Sequence, residues 1–374
     1  MISERIDLEA LAARAIDAAL AGASSEKLVA ELLRANPMPN ADRERLARWV
    51  LGVQVWRAHL RYRLERAGEP DHAAAMLEAY RRFIEQPAKE IDWPADPVER
   101  LCVEASLPAW IARLWIAELG FPSARSLALA MNTPGPVTLR ANTARITREA
   151  LATRLRDEGI EVAPTRLCAS GLHVNGRANL WGSEAWREGL FEVQDEGSQR
   201  IAEFCGARPG ERWLDLCAGS GGKTLALASA MNDQGEVVAF DVDAKKLQNL
   251  RARVARSRMT CVRVCETLPF TQAFDAPAAQ AFDGVLIDAP CSELGTLRRH
   301  PDARWRLTPE SIAHLPALQK HLMEQGRAHL RPGGRGVYAT CTLRRAENED
   351  VAGPGVTLRP DVEGTDGFFM AVWK

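Results

Sequence analysis

Residues 211–243 read ERWLDLCAGSGGKTLALASAMNDQGEVVAFDVD, and this stretch decides the fold. An apolar run ends at Asp215, and Gly219, Gly221 and Gly222 follow. Helix-forming residues begin near Lys223, and a second apolar run, VVAF, ends at Asp241. The pattern is strand, glycine loop, helix, strand. Glycines let the backbone approach a ligand closely, and the unpaired N–H groups at a helix start favour an anionic group. An acid about twenty residues past the glycines, at the next strand end, is where ribose hydroxyls are met in a dinucleotide-type fold. A phosphate loop would need a glycine five residues before Gly222, where Cys217 stands, and the nicotinamide spacing G-x-G-x-x-G is out of register. An S-adenosylmethionine site, with its looser glycine loop and the same acid, is the remaining candidate. A tight glycine turn with no ligand is the minor alternative.

Working outward, the alternation continues from about residue 197. SQRIAEFC reads as a helix, MTCVRVCE, FDGVLIDAP and GRGVYATC as strands, and the stretch around 309–330 as a long helix. Strands alternating with helices indicate an α/β fold, here a Rossmann-like, mostly parallel sheet with right-handed crossovers and helices on both faces. Upstream, PVTLRAN (136–142) reads as a strand and TREALATRLRDEGI as a helix capped by Thr147. Short strands follow near GIEVAPT, GLHVNG and GLFEVQD, which together make a small α+β unit. Residues 1–90 show only helical spacing, as in Leu8, Leu11, Ala12, Ile16 and Leu20. The proline-bearing EQPAKEIDWPADP suits a linker, and SLPAWIARLWIAELG is another helix. The expected division is a helical domain over 1–90, a linker helix plus α+β unit over 91–190, and the α/β domain over 191–374.

Net charge is −1 across 374 residues, so no global field advertises a polyanionic partner. Arginines are nonetheless clustered at 251, 253, 256 and 258, and at 298, 299, 304 and 306. No apolar run approaches the length of a membrane span, and MISERIDLEALAARAIDAAL lacks a signal-peptide pattern, so a cytoplasmic, monomeric protein is expected. Eight scattered cysteines without a CxxC pair form neither a disulfide framework nor a zinc site, and no metal is expected.

Two cysteines differ from the rest. VLIDAPC and VYATC each place one just past the carboxyl end of a strand, at Cys291 and Cys341. Ligands of parallel sheets bind beyond those ends. If the two strands are neighbours, Asp288, Cys291 and Cys341 share one cleft. A methyl donor, a carboxylate and a thiolate suit methylation of the C5 carbon of cytosine. Thiolate addition at C6 makes C5 nucleophilic, and a carboxylate near N3 stabilises the adduct. The attacking sulfur must be a thiolate, and Lys223, Arg344 and Arg345 are candidates for lowering its pKa.

DLCAGSGGKT, DAPCSELG, RRHPD, YATCTL with ENE, and the terminal DGFFMAVWK resemble the Nop2/Sun RNA cytosine-C5 methyltransferases. The bacterial ribosomal, RsmB-type branch is the most similar, and FEVQDEGSQ resembles the segment ahead of its cofactor loop. The resemblance implies Cys341 as nucleophile and Cys291 as the residue that assists product release. DNA cytosine methyltransferases use a Pro-Cys nucleophile, which would favour Cys291, so residue order alone leaves the roles open. The resemblance further implies S-adenosylmethionine contacts from Cys217, Ala218, Gly219, Ser220, Gly221, Gly222 and Lys223, then Asp241, Glu266 and Asp288. Ser220, Glu266 and Thr342 stand where the family usually has proline, aspartate and serine. The helical N-terminus loosely resembles the NusB-like RNA-binding domain of that branch, in a shorter form.

For an RNA partner, Arg298, Arg299, Arg304 and Trp305 near Cys291 offer phosphate contacts and a stacking surface. Ribosomal RNA is the leading substrate. Transfer RNA, or a non-catalytic assembly role on the same scaffold, are the alternatives.

Overall fold

A computed structural model describes residues 7–86, 92–266 and 282–373. It divides the chain into two units, one of residues 1–134 with 296–311 and the other of residues 135–295 with 312–374. The first unit is helical. Helices span Leu8–Leu20, Ser25–Ala35, Asn40–Val55, Arg57–Ala67, Ala73–Tyr80, Pro97–Glu104, Ala109–Leu119 and Phe121–Ala130. Leu11, Ala12 and Ile16 of the expected stripe are buried, with Leu46, Val50, Val53 and Leu60 closing over them. Asp7, Ser24 and Asp96 cap their helices by accepting backbone N–H groups. Of the expected linker, residues 87–91 lie outside the described residues.

The second unit holds two sheets. β1 (Thr138–Ala141), β2 (Val162–Pro164), β3 (Gly171–Val174) and β4 (Phe191–Val193) form an antiparallel sheet in the order β2-β3-β1-β4. Thr147 caps the helix Arg148–Asp157 through Ala150 N–H, as its position suggests. The larger sheet runs β10-β11-β9-β8-β5-β6-β7. Its strands are β5 (Arg212–Asp215), β6 (Glu236–Phe240), β7 (Val262–Cys265), β8 (Phe282–Asp288), β9 (Leu330–Thr340), β10 (Val356–Leu358) and β11 (Phe368–Trp373). β7, β6, β5, β8 and β9 are parallel, while β11 and β10 close the edge antiparallel.

Side-chain alternation sends each face of this sheet into its own core. Trp213, Val237, Leu286 and Val337 pack with Ile201, Leu225 and Leu227 of the helices Glu196–Cys205 and Gly222–Ala230. Leu214, Val238, Val285, Ile287 and Tyr338 pack with Met323 of the helix Leu315–His329 on the other face. This is the Rossmann-like α/β layering expected. The order reverses between β5 and β8, and a cleft opens beyond strand ends at such a switch point.

By compactness the chain divides at residue 134. The helices between 97 and 130 belong to the helical unit, and the small sheet is fastened to the large one. Glu192 of β4 is buried and pairs with Arg253 (2.8 Å) and Arg256 of the helix Ala244–Ser257. Asn142 Nδ2 donates to Ser257 O at 3.2 Å. The arginine run at 251–258 is thus partly structural. Among the described residues, no helix is long and apolar enough to cross a membrane.

Candidate active site

Beyond the end of β5, Ala218 N–H donates to Phe240 O at 2.8 Å and ties the glycine loop to β6. Gly219 and Gly221 adopt φ of 54° and 86°, the left-handed region. A Cβ on Gly221 would lie 2.0 Å from Leu250 Cδ1, so only glycine fits there. A Cβ on Gly219 would meet nothing within 4 Å, which leaves the front of the loop open. Asp241 holds the loop by accepting Gly219 N–H at 2.8 Å and Asp243 N–H at 2.9 Å. A carboxylate has about four acceptor positions, so these bonds leave Asp241 lone pairs for a ligand. Ser220 O accepts from Arg253 Nη1 at 2.8 Å, and the helix Gly222–Ala230 starts immediately after. The loop from Cys217 to Lys223 and Asp241 therefore form an open cradle suited to a nucleoside-type ligand. Glu266 lies one residue past Cys265, the partner of Phe240, and is exposed with Arg251 Nη1 2.5 Å away.

β8 and β9 are neighbours, with Asp288 opposite Ala339. Ala289 N–H donates to Ala339 O at 2.8 Å, and Gly295 N–H donates to Cys341 O at 2.9 Å. The sulfur atoms of Cys291 and Cys341 consequently stand 3.4 Å apart, both as free thiols. Beside them, Lys223 Nζ donates to Asp288 Oδ2 at 2.7 Å. Burial opposes the Lys223 charge, but Asp288 outweighs it and the ammonium pKa rises. The glycine cradle, the carboxylate and the two thiols thus share one end of the sheet.

The expected low thiol pKa is not what the structure gives. Cys341 is pushed well above its ordinary value, first by its hydrogen bond with Cys291, then by burial and the charge of Asp288. Each candidate cation has a carboxylate partner: Lys223 on Asp288, Arg345 Nε on Asp350 at 3.2 Å, and Arg344 Nη1 3.6 Å from Glu347 Oε1. That shift favours the protonated thiol at Cys341. Cys217 is likewise held protonated, by burial and then by Asp215.

Asp215 itself, which sequence reading used only as a strand end, is fully buried and accepts from Thr224 Oγ1 at 2.7 Å. Burial drives its pKa up to about 7. Glu347 and Gln319, both fully buried, also went unread as site residues; they bind the backbone around Cys291. The only sequence signal was the ENE string, which carried no assigned role.

The arginine run past Cys291 needs correction. Residues 296–311 belong to the helical unit, and there Arg304 is 0% exposed. Its guanidinium donates to Asn132 Oδ1 (2.6 Å), Met131 O (3.2 Å) and Ser106 O (3.3 Å). Burial lowers its pKa to about 10 against the pull of Asp302. A guanidinium so placed has no reach to a phosphate. Trp305 is half-buried, donates Nε1–H to Gln54 O at 2.8 Å, and has Arg57 5.6 Å from its ring centre, so it is no open stacking surface. Arg298 and Arg299 remain partly exposed. Among the described residues, no group of three or more His, Cys, Asp or Glu side chains is placed to hold a metal.

Residues 204–366 match the family described as 16S rRNA methyltransferase RsmB/F, and residues 107–180 match its ferredoxin-like domain. A Bacillus subtilis protein named "Probable ribosomal RNA small subunit methyltransferase B" is 31% identical over 72% of this chain and 60% of its own length. A Synechocystis protein of the same name is 34% identical over 73% of this chain and 61% of its own. The Vibrio cholerae ribosomal RNA small subunit methyltransferase B is 30% identical over 71% of this chain and 64% of its own. The chain thus spans less than two thirds of these relatives. The solved structure of PH0851 shares the fold with a TM-score of 0.81 at 22% identity, covering 98% of this chain and 99% of its own. A methyltransferase homologue from Pyrococcus horikoshii superposes with a TM-score of 0.65 at 26% identity, covering 75% of this chain and 99% of its own.

Proposed function

From the match of residues 204–366 to the RsmB/F methyltransferase family and the likeness to ribosomal RNA small subunit methyltransferases B, we propose that the chain methylates C5 of a cytosine in RNA, with small-subunit ribosomal RNA as substrate and S-adenosylmethionine as methyl donor. The observation that carries this reading is the pair of thiols 3.4 Å apart beside Asp288, at the strand ends that also bear the glycine cradle. The loop from Cys217 to Lys223 and Asp241 would hold the cofactor, which would supply an electrophilic methyl group. The open front of Gly219 and the free lone pairs of Asp241 fit its aminoacyl and ribose parts.

Cys341 Sγ passes its proton to solvent and, as thiolate, bonds to C6 of the base; the displaced ring electron pair makes C5 a nucleophile. Because the raised pKa favours the protonated thiol, deprotonation is coupled to substrate binding and is not pre-paid by a nearby cation. Asp288, oriented by Lys223, faces N3 of the ring and stabilises the charge that develops there. After C5 takes the methyl group, a base at the site, Cys291 Sγ or water, accepts the C5 proton; the C–H electron pair re-forms the C5–C6 double bond, and the C6–sulfur bond breaks to return Cys341 as thiolate, the release that Cys291 assists. The target base must leave its stack to reach sulfur atoms at the base of a cleft.

The test is incubation with labelled cofactor and unmodified small-subunit ribosomal RNA, followed by nucleotide mapping. Cys341→Ala is expected to abolish methylation with no covalent complex. Cys291→Ala is expected to trap a protein–RNA adduct stable to denaturant. The reverse pattern would exchange the two roles, and label on transfer RNA alone would change the substrate.

A further inference from the structure

A single buried carboxylate holds the chain on both sides of Cys291. Glu347 Oε2 accepts Ser292 N–H at 2.9 Å, and it also accepts Gln319 Nε2 at 3.0 Å. Gln319 Nε2 in turn donates to Pro290 O at 2.9 Å. The residues immediately before and after Cys291 are therefore tethered, one directly and one through Gln319, to the same oxygen. Both tethering side chains are 0% exposed, where hydrogen bonds are worth most and an unpaired group costs most.

The backbone of Glu347 is fixed to β9, which leads directly into Cys341. Tyr338 OH donates to Glu347 O at 2.6 Å, three residues before that cysteine. The next residue, Asn348, accepts Thr340 Oγ1 at 2.6 Å and donates to Thr342 O at 3.0 Å, so it brackets Cys341 as Glu347 brackets Cys291. Ser292 and Thr342, the residues that follow the two cysteines, join through their hydroxyls at 2.8 Å. Arg344 lies 3.6 Å from the other Glu347 oxygen and balances its charge.

From this geometry we infer that Glu347, acting through Gln319, is the positioning residue that sets Cys291 against Cys341 for release of the methylated base. The inference rests on the proposed two-cysteine reaction and adds a residue to it. Glu347 touches neither sulfur. Its work is to hold the Pro290–Ser292 backbone in register with the end of β9, because a 3.4 Å spacing between thiols on separate strands survives only if both loops are pinned. Without the tether, Cys341 can still attack from its own anchored strand. Cys291 then drifts, and the adduct waits.

The experiment uses the full-length chain with Glu347→Gln and Gln319→Met, each alone and combined with Cys291→Ala. Expected for both single variants is a fall in turnover of roughly 10- to 100-fold, the loss of a hydrogen bond to a charged acceptor expressed as a rate. It should come with an accumulating covalent protein–RNA complex and cofactor affinity within about twofold of wild type by calorimetry. In the Cys291→Ala background the same changes should have little further effect on adduct yield, because the group they position is gone. A merely structural role would instead reduce adduct formation, cofactor binding and turnover together, in both backgrounds, and would overturn the inference. If Cys291→Ala itself traps no adduct, the two-cysteine reaction fails and the inference falls with it. If Cys291→Ala traps the adduct but neither tether variant does, only the positioning role fails.

Discussion

Two neighbouring stretches, DAPCSELG at 288–295 and RRHPDARWR at 298–306, carry equally suggestive side chains and meet opposite fates. The first delivers Asp288 and Cys291 to the open end of the sheet, within reach of Lys223 and Cys341. The second turns Asp302 and Arg304 inward within the helical unit, at 5% and 0% exposure. The difference lies in what constrains each. Residues leaving β8 have no choice of surroundings, because β8 is flanked by β5 and β9 and all three end on one side. No sheet dictates where 298–306 goes. Arginine beside tryptophan suits a phosphate-binding surface, but it suits helix ends as well. Arg304 takes that second use, donating to Met131 O just past the helix Phe121–Ala130 and to Ser106 O just past the helix Pro97–Glu104.

The largest stability effect expected from this contrast is at Arg304. Arg304→Met would strand two buried carbonyls and the half-buried Asn132 amide oxygen, and would weaken the positive field at Asp302, which binds Ser25 N–H at 2.8 Å and the Ser25 hydroxyl. A loss of about 3–5 kcal/mol is expected in thermal or urea unfolding. Arg306→Ala, whose side chain is 44% exposed and 3.5 Å from Asp302, should cost less than about 1 kcal/mol. If Arg304→Met melts with wild type and instead weakens RNA binding, the arginine faces a ligand and the contrast drawn here collapses.

How far the sequence is legible follows the same line. The parallel sheet, the glycine loop, Asp241 and the approach of the two cysteines all follow from strand-end geometry, which a one-dimensional pattern encodes directly. Thr147 is readable as a cap because a cap acts on its own helix. What escaped reading is side-chain pairing at long separation. Glu347 lies 55 residues from Ser292, and Lys223 lies 65 from Asp288. The expectation of a lowered Cys341 pKa failed in part for this reason: Lys223 pairs with Asp288 across 65 residues, while Arg344 and Arg345 pair locally with Glu347 and Asp350. The pairing of Glu192 with Arg253 and Arg256, across more than 60 residues, is of the same kind.

The two units should also answer pH in opposite senses, and the larger response belongs to Asp215. Its pKa stands at about 7 in the folded chain against an ordinary 3.8, raised mainly by burial. A group whose folded pKa is raised adds stability below its unfolded pKa and loses it as pH climbs through the folded one. Between pH 4 and 7 wild type should therefore lose on the order of 4 kcal/mol relative to Asp215→Asn, which cannot ionise there. Urea unfolding of both proteins across that range measures the difference. Parallel curves would mean the carboxylate is hydrated in the folded state and the cradle floor is wetter than its burial implies.

His59 in the helical unit gives the smaller, opposite response. Val103 O can only accept, so Nδ1 carries the proton that spans the 3.2 Å between them, and Nε2 is left to face Arg63 Nε at 3.5 Å. A second proton on that ring would have to sit against a guanidinium. Burial first, and Arg63 second, accordingly lower the His59 pKa from 6.5 to about 4. A depressed folded pKa means stability that is complete above the unfolded value and is lost as pH falls through the folded one. His59→Gln removes the titration, so the unfolding free-energy gap between wild type and variant should shrink by about 3 kcal/mol from pH 7 to pH 4. That window overlaps the one in which Asp215 gains stability for the α/β unit. Acidification from neutral should consequently loosen the helices before the sheet, and hydrogen exchange at pH 4.5 can resolve the order. Earlier exchange in β5 and β6 than in the helix Arg57–Ala67 would reverse the assignment of the two responses.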